Sequence, residues 1–238
     1  MNPEMTAEEL RNRLRNLEDP EKAKILQRFF KTGPGEYGEG DLFLGIPVPR
    51  LRKLSRECGE MDLGEVEALL ESSVHEERLL ALLILIRKYE REDEAGKKKI
   101  YGLYLKNTPR INNWDLVDLS APNIVGDFLM NRSRKPLYKL AHSSALWERR
   151  VAILSTFRFI RAQQFDETLR ISKILLCDQE DLIQKAVGWM LREVGKRDPA
   201  VEESFLKKHY RQMPRTMLRY AIERFPASKR ELFIKGRI

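Results

Sequence analysis

Cysteine and histidine are scarce in this chain, and that scarcity excludes several chemistries. The two cysteines, Cys58 and Cys177, can build neither a disulfide framework nor a zinc site. The three histidines, His75, His142 and His209, fall at no ligand spacing, so neither a metal nor a cofactor is expected. Long apolar runs are missing as well. The longest, LLALLILI at 79–86, is far shorter than the roughly 20 residues that cross a bilayer. The opening MNPEMTAEEL has no basic n-region and no apolar stretch, so a secretion signal is not expected and the location expected is cytoplasmic. Alternating β-branched runs are absent too, which leaves no case for a sheet.

What the chain has is charge, unevenly placed. Its 238 residues carry a formal +8, but residues 131–238 hold 24 Lys and Arg against 12 Asp and Glu. Residues 1–130 hold 20 against 24. A net +12 gathered in one half favours a polyanionic partner there, although basic surfaces that bind nothing are common.

Helical periodicity runs through nearly all of it. Amphipathic stretches fall at 7–17, 20–30, 48–58, 63–72, 76–90, 94–106, 113–120 and 122–131. They continue at 136–142, 146–161, 167–176, 182–196, 199–210 and 213–225, separated by punctuators such as GEMD, NTPR and KRDP. A repeat lies inside this pattern. EERLLALLILI (76–86), NNWDLVDLSAP (112–122), WERRVAILSTF (147–157) and LIQKAVGWMLR (182–192) align with Arg78, Trp114, Arg150 and Lys185 in one column, at intervals of 36, 36 and 35 residues. Two helices per unit at that period predict an all-α, HEAT-like solenoid, a single domain over 1–238 with a curved body and a concave basic groove. A second column, one turn on, holds Leu82, Asp118, Leu154 and Trp189. Two indoles, a carboxylate and three cations are an unsuitable mixture for a core, so both columns are expected to face the groove. Taken singly, each has a plainer reading: helix packing for the tryptophans, an ordinary ion pair for Asp118, a solvated surface for Arg150.

With these segments in order, the chain resembles the AlkD-type DNA alkylation repair proteins, HEAT-like DNA glycosylases. The likeness runs from DPEKAKILQRFFK (19–31) through DLFLGIPVPRLRKL (41–54) and is densest at NNWDLVDLSAPNIVGDF (112–128), ALWERRVAIL (145–154) and LIQKAVGWMLREVGKRDP (182–199). It implies a site made of Trp114, Asp118, Arg150 and Trp189. It further implies excision of cationic N3- and N7-alkylpurines, such as 3-methyladenine and 7-methylguanine, from double-stranded DNA, without full extrusion of the base. In that chemistry the carboxylate stabilises an oxocarbenium-like sugar and orients water. The indole faces attract the cationic base, and the arginine clamps a phosphate. A monomer acting at the nucleoid, with hydrolase but no lyase activity, follows from the same resemblance. Weaker candidates for phosphate contacts are Lys185, Arg149, Arg192, Lys196, Arg215, Arg219 and Arg224.

Two features depart from the family's glycosylases. KTGPGEYGEGD (31–41) carries four glycines and a proline, and reads as a loop or small hairpin inserted at about 32–41. Tyr37 in it is placed to stack on a base or wedge a duplex, whereas Glu36, Glu39 and Asp41 are expected to repel phosphates. The second helix has Phe29 where those enzymes have a tyrosine. An insertion in this region also occurs in a family branch associated with branched DNA. The alternative expectation is therefore a non-catalytic protein that binds damaged or branched DNA, followed by a protein–protein scaffold.

Overall fold

A computed structural model describes residues 5–238. Every regular element among them is helical, and the nearest approach to a strand is a single parallel bridge between Leu42 and Val74. The chain divides at Leu116/Val117 into two compact units.

The first unit contains α1 (Ala7–Arg15), α2 (Pro20–Phe29), α3 (Val48–Glu57), α4 (Leu63–Leu70), α5 (His75–Arg91) and α6 (Glu94–Lys106). Local chemistry starts several of them. Thr6 and Glu9 form a reciprocal capping box on α1, Asp19 caps α2 ahead of Pro20, and Asp62 and Asp93 cap α4 and α6. α5 is the central element, packed by α3, α4 and α6. Its residues Leu79 to Ile86 are all buried, each worth roughly 1.5–3 kcal/mol if leucine-sized.

α7 (Trp114–Ser120) spans the division. The second unit continues with a π-helical turn (Pro122–Gly126), α8 (Lys135–Ala141), α9 (Leu146–Arg161), α10 (Asp166–Ile174), α11 (Asp181–Gly195), α12 (Pro199–His209), α13 (Arg215–Ala221) and α14 (Ala227–Ile234). Packing is between near neighbours in the chain: α8, α10 and α11 against α9, then α12 and α13 against α11. That is the contact pattern of a helical-repeat protein. Gly188 lets α13 press close to α11, since a Cβ there would lie 2.5 Å from the Met217 carbonyl oxygen.

Three sequence expectations are corrected. The stretch at 122–131 is not one α-helix: it opens with the π-helical turn and ends in turns after Phe128. α14 lies beyond the last expected helix. The second column splits, because Leu82 and Leu154 are fully buried. They sit on α5 and α9, which neighbours enclose, so one turn along either helix leads into the core.

Candidate functional site

Helical geometry places Asp118 one turn after Trp114 on α7. In the second unit, both oxygens of the Asp118 carboxylate accept from Arg150 on α9, Oδ1 from Nε and Oδ2 from Nη2, each at 2.8 Å. The remaining guanidinium nitrogen, Nη1, donates to the Leu182 carbonyl at the start of α11 at 2.5 Å. One side chain thus ties α7, α9 and α11 together. The Arg150 side chain is 6% exposed and that of Asp118 17%, so Asp118 keeps more access to solvent than its partner. The phosphate clamp expected of Arg150 is not the geometry found. A charge this buried needs a fixed partner, and the fork-shaped guanidinium finds one in Asp118.

Trp189 lies on α11 with its indole N–H donating to Glu193 at 3.2 Å and its ring 5.9 Å from that of Phe157. Glu193 also receives Lys196 at 2.5 Å and Arg197 at 3.2 Å. Burial alone would raise its carboxyl, but the hydrogen bonds from Lys196, Trp189 and Arg197 outweigh it and hold the group below its ordinary range.

The other cations nominated from sequence are mostly engaged within the protein. Lys185 pairs with Asp181 at 2.6 Å. Arg149 holds Asp178 at 2.7 Å and also donates to the Ser143 and Ser144 carbonyls. Arg192 pairs with Glu223, and Arg215 donates to the Ile234 carbonyl at 2.8 Å. Arg219 is exposed and forms no ion pair among the described residues.

In the first unit Trp114 joins a column of rings. It stacks on Phe30 at 5.3 Å and 17°, Phe30 stacks on Phe43 at 5.1 Å, and Phe43 stacks on the His75 imidazole at 4.5 Å. Phe29, 61% exposed, meets the Trp114 ring edge-on at 6.0 Å. The column ends in charge. His75 bridges Asp41 (Nδ1, 3.3 Å) and Asp115 (Nε2, 2.8 Å), and Arg78 pairs with Asp41 at 2.7 Å. Burial opposes a charged imidazole, but the two carboxylates outweigh it and raise the His75 pKa. Asp41, pushed upward by burial, is brought below its usual range by His75 and Arg78.

Nothing in the residue pattern singled out His75, Phe43 or Asp115. The one available signal was the helix start VHEER, which places a titratable ring directly before two acids and three residues before an arginine. Asp41 was expected to face phosphates from the loop, and instead it is buried as the counter-ion of Arg78 and His75. The loop is a run of turns rather than a hairpin. Glu36 and Glu39 fold back to accept from the Gly33 and Gly35 amides, each at 2.9 Å. Tyr37 directs its hydroxyl at the Phe29 carbonyl at 3.5 Å. Gly38 is required where the loop crosses α2's end, since a Cβ would lie 2.5 Å from the Phe30 carbonyl oxygen.

Comparison with known proteins gives these sites a context. A family model described as DNA alkylation repair enzyme matches residues 10–225, through both units. No curated protein matches the sequence. Among solved structures, the chain is similar to a predicted DNA alkylation repair enzyme from Enterococcus faecalis, at 20% identity and a TM-score of 0.69 over 88% of this chain and 97% of that one. It is also similar to AlkD2 from Streptococcus mutans, at 18% identity and a TM-score of 0.54 over 93% and 100%. At such identities the structural likeness is one of fold.

Proposed function

The chain belongs to the DNA alkylation repair enzyme family, and from that premise we propose that it is a monofunctional DNA glycosylase for cationic N3- and N7-alkylpurines. The observation that carries the proposal is the Asp118 carboxylate, held by Arg150 in a fixed orientation yet still 17% exposed. Alkylation puts a positive charge on the purine. When the C1′–N bond breaks, its electron pair goes to the base, which leaves neutral, and positive charge builds on the sugar. A preoriented carboxylate stabilises that charge without reorganising. It also orients the water that adds to C1′ and accepts the proton released. Arg150 acts by fixing Asp118, and Trp189 in the same unit offers an electron-rich face to the cationic base. The DNA is double-stranded and the protein acts as a monomer.

Incubation with a duplex containing 7-methylguanine, followed by measurement of free base, tests this directly. Release by the wild-type protein well above the spontaneous rate is expected. Release at the spontaneous rate rejects the catalytic reading.

One observation favours a second reading, a non-catalytic protein that binds damaged or branched DNA. Both oxygens of Asp118 are occupied by Arg150, as in a purely structural ion pair. That reading predicts strongly salt-dependent junction binding without base release.

A further inference from the structure

The cations that border the candidate site are spoken for: Arg149, Arg150, Lys185 and Lys196 each hold a carboxylate. Elsewhere in the second unit, Lys173 and Lys208 are among the lysines that lack one. A groove of about 560 Å³ runs between α10 and α12, helices that carry none of Asp118, Arg150 and Trp189. Its floor is apolar, made by Leu169, Val201 and Phe205. Lys173 from α10 and Lys208 from α12 stand on its two sides, both exposed and both without an ion-pair partner among the described residues. Arg170 lines it too, 3.6 Å from Glu167, and the carboxylate of Asp166 marks one end.

His209 reports on the field between the lysines. Its ring lies 4.6 Å from that of Phe205, and its Nδ1 is buried without a hydrogen-bond partner. Burial lowers its pKa first, and the charges of Lys173 and Lys208 lower it further. Two lysines from different helices therefore act on one ring. Like charges so placed repel, and an anion of more than one charge relieves that repulsion better than a carboxylate does. A phosphate monoester carries about −1.5 to −2 near neutral pH. The floor adds a second requirement, an apolar or flat body attached to the anion, and the volume is that of a small-ligand site. Ser204 and the His209 ring offer polar contacts to the edges of such a body.

We propose that the groove between α10 and α12 binds a nucleotide, with its 5′-phosphate monoester between Lys173 and Lys208 and its base on Leu169, Val201 and Phe205. The nucleotide is either free or the phosphorylated 5′ end of a DNA strand, and both present the same chemistry. The inference does not depend on the glycosylase reading, because it uses none of that site's residues.

The test follows the His209 ring signals by NMR while four probes are added separately: thymidine 5′-monophosphate, thymidine, inorganic phosphate, and a 5′-phosphorylated eight-residue thymidine strand. The monophosphate or the phosphorylated strand is expected to shift the signals in a saturable way and to raise the His209 pKa, because the anion offsets the lysines. Lys173→Gln/Lys208→Gln is expected to weaken binding at least tenfold. Lys207→Gln, on the same helix but paired with Glu203, is expected to bind as the wild type does. Saturation by the monophosphate identifies a free nucleotide, and saturation by the strand alone identifies a DNA end. If inorganic phosphate binds as tightly as either, the apolar floor contributes nothing and the nucleotide assignment is wrong. Unmoved His209 signals with every probe, or unchanged binding by the double variant, overturns the site. Base release from alkylated duplex is expected to be the same in the double variant, so the two readings fail separately.

Discussion

The two units solve the problem of buried charge in different ways. In the first, Arg78, Asp41, His75 and Asp115 form one connected chain that ends against the stack of aromatic rings under Trp114. In the second, arginine–carboxylate pairs, Asp118 with Arg150 and Asp178 with Arg149, stand beside a smaller cluster in which Trp189, Lys196 and Arg197 share Glu193. The network buries its inner members most deeply: Arg78, Asp41 and His75 are each under 5% exposed, whereas the Asp115 side chain at its end is 19% exposed. The two paired carboxylates differ as well, Asp178 at 7% and Asp118 at 17%. Of those two, Asp118 has the greater access to a ligand.

Removing the arginine from each assembly is the largest test of that contrast. Arg78→Met removes the guanidinium from buried Asp41, which keeps His75 as a partner, and is expected to cost about 4 kcal/mol, within the usual range for breaking a buried pair. Arg150→Met removes the bidentate partner of a carboxylate that is already 17% exposed and is expected to cost about half as much. Urea denaturation of both variants measures the difference, and equal losses would erase the distinction between network and pair.

Asp118→Asn asks whether the exposure of that carboxylate has a chemical use. The amide keeps the shape and some hydrogen bonding to Arg150 but removes the charge. Base release is expected to fall about 100-fold or more, the scale of losing one preorganised electrostatic contact. Asp178→Asn, a change in the other pair, is expected to leave the rate within about twofold once stability is allowed for. Comparable losses in both would mean that folding, and not chemistry, is being read.

The pH dependence separates the units next. Glu202, buried on α12, has its carboxyl pushed up to about 8 by burial, which Arg192 and Lys229 offset only in part. The folded protein therefore keeps a proton that the unfolded chain loses, and stability falls as pH rises from about 4.5 to 8. Glu202→Gln is expected to gain on the order of 2 kcal/mol above pH 8 and little below pH 5. For His75 the bridge to Asp41 and Asp115, opposed by Arg78, is fully present below the ordinary imidazole value near 6.5. It is lost as pH climbs through the raised folded value. His75→Gln is expected to cost about 1–2 kcal/mol at pH 6 and to converge with the wild type at high pH. Thermal melts across pH 5–10 check both slopes.

The helical architecture was legible because short amphipathic helices announce themselves through a 3.6-residue period and through caps such as Thr6, Asp19 and Asp198. The repeat interval placed Arg150 and Asp118 on adjacent columns, but the arginine was expected to hold a phosphate, and the ion pair between them was not foreseen. It failed where a column position carried no sign of its neighbours: Leu82 and Leu154 share the register of Asp118 and Trp189 but lie in the core. The His75 network was illegible for a related reason. Its members come from a loop, from α5 and from α7, and no local spacing connects residues 41, 75 and 115. A hydrogen bond between distant segments leaves no periodic trace.

The smallest expected effect lies in the glycine-rich loop, where two carboxylates two residues apart have opposite fates. Asp41 is 4% exposed and belongs to the network, whereas Glu39 is exposed and accepts only from the Gly35 amide. Glu39→Gln retains that acceptor and removes a charge already in water, so the expected change is below about 0.5 kcal/mol. Its effect on DNA is more telling than its effect on stability. If the loop approaches phosphates, removing the Glu39 charge strengthens binding to duplex or junction at low salt, and the gain fades as salt is raised. Binding that is indifferent to Glu39→Gln at every salt concentration would instead place the loop away from DNA. Its ordering by Asp41 would then serve the ring stack beneath Trp114.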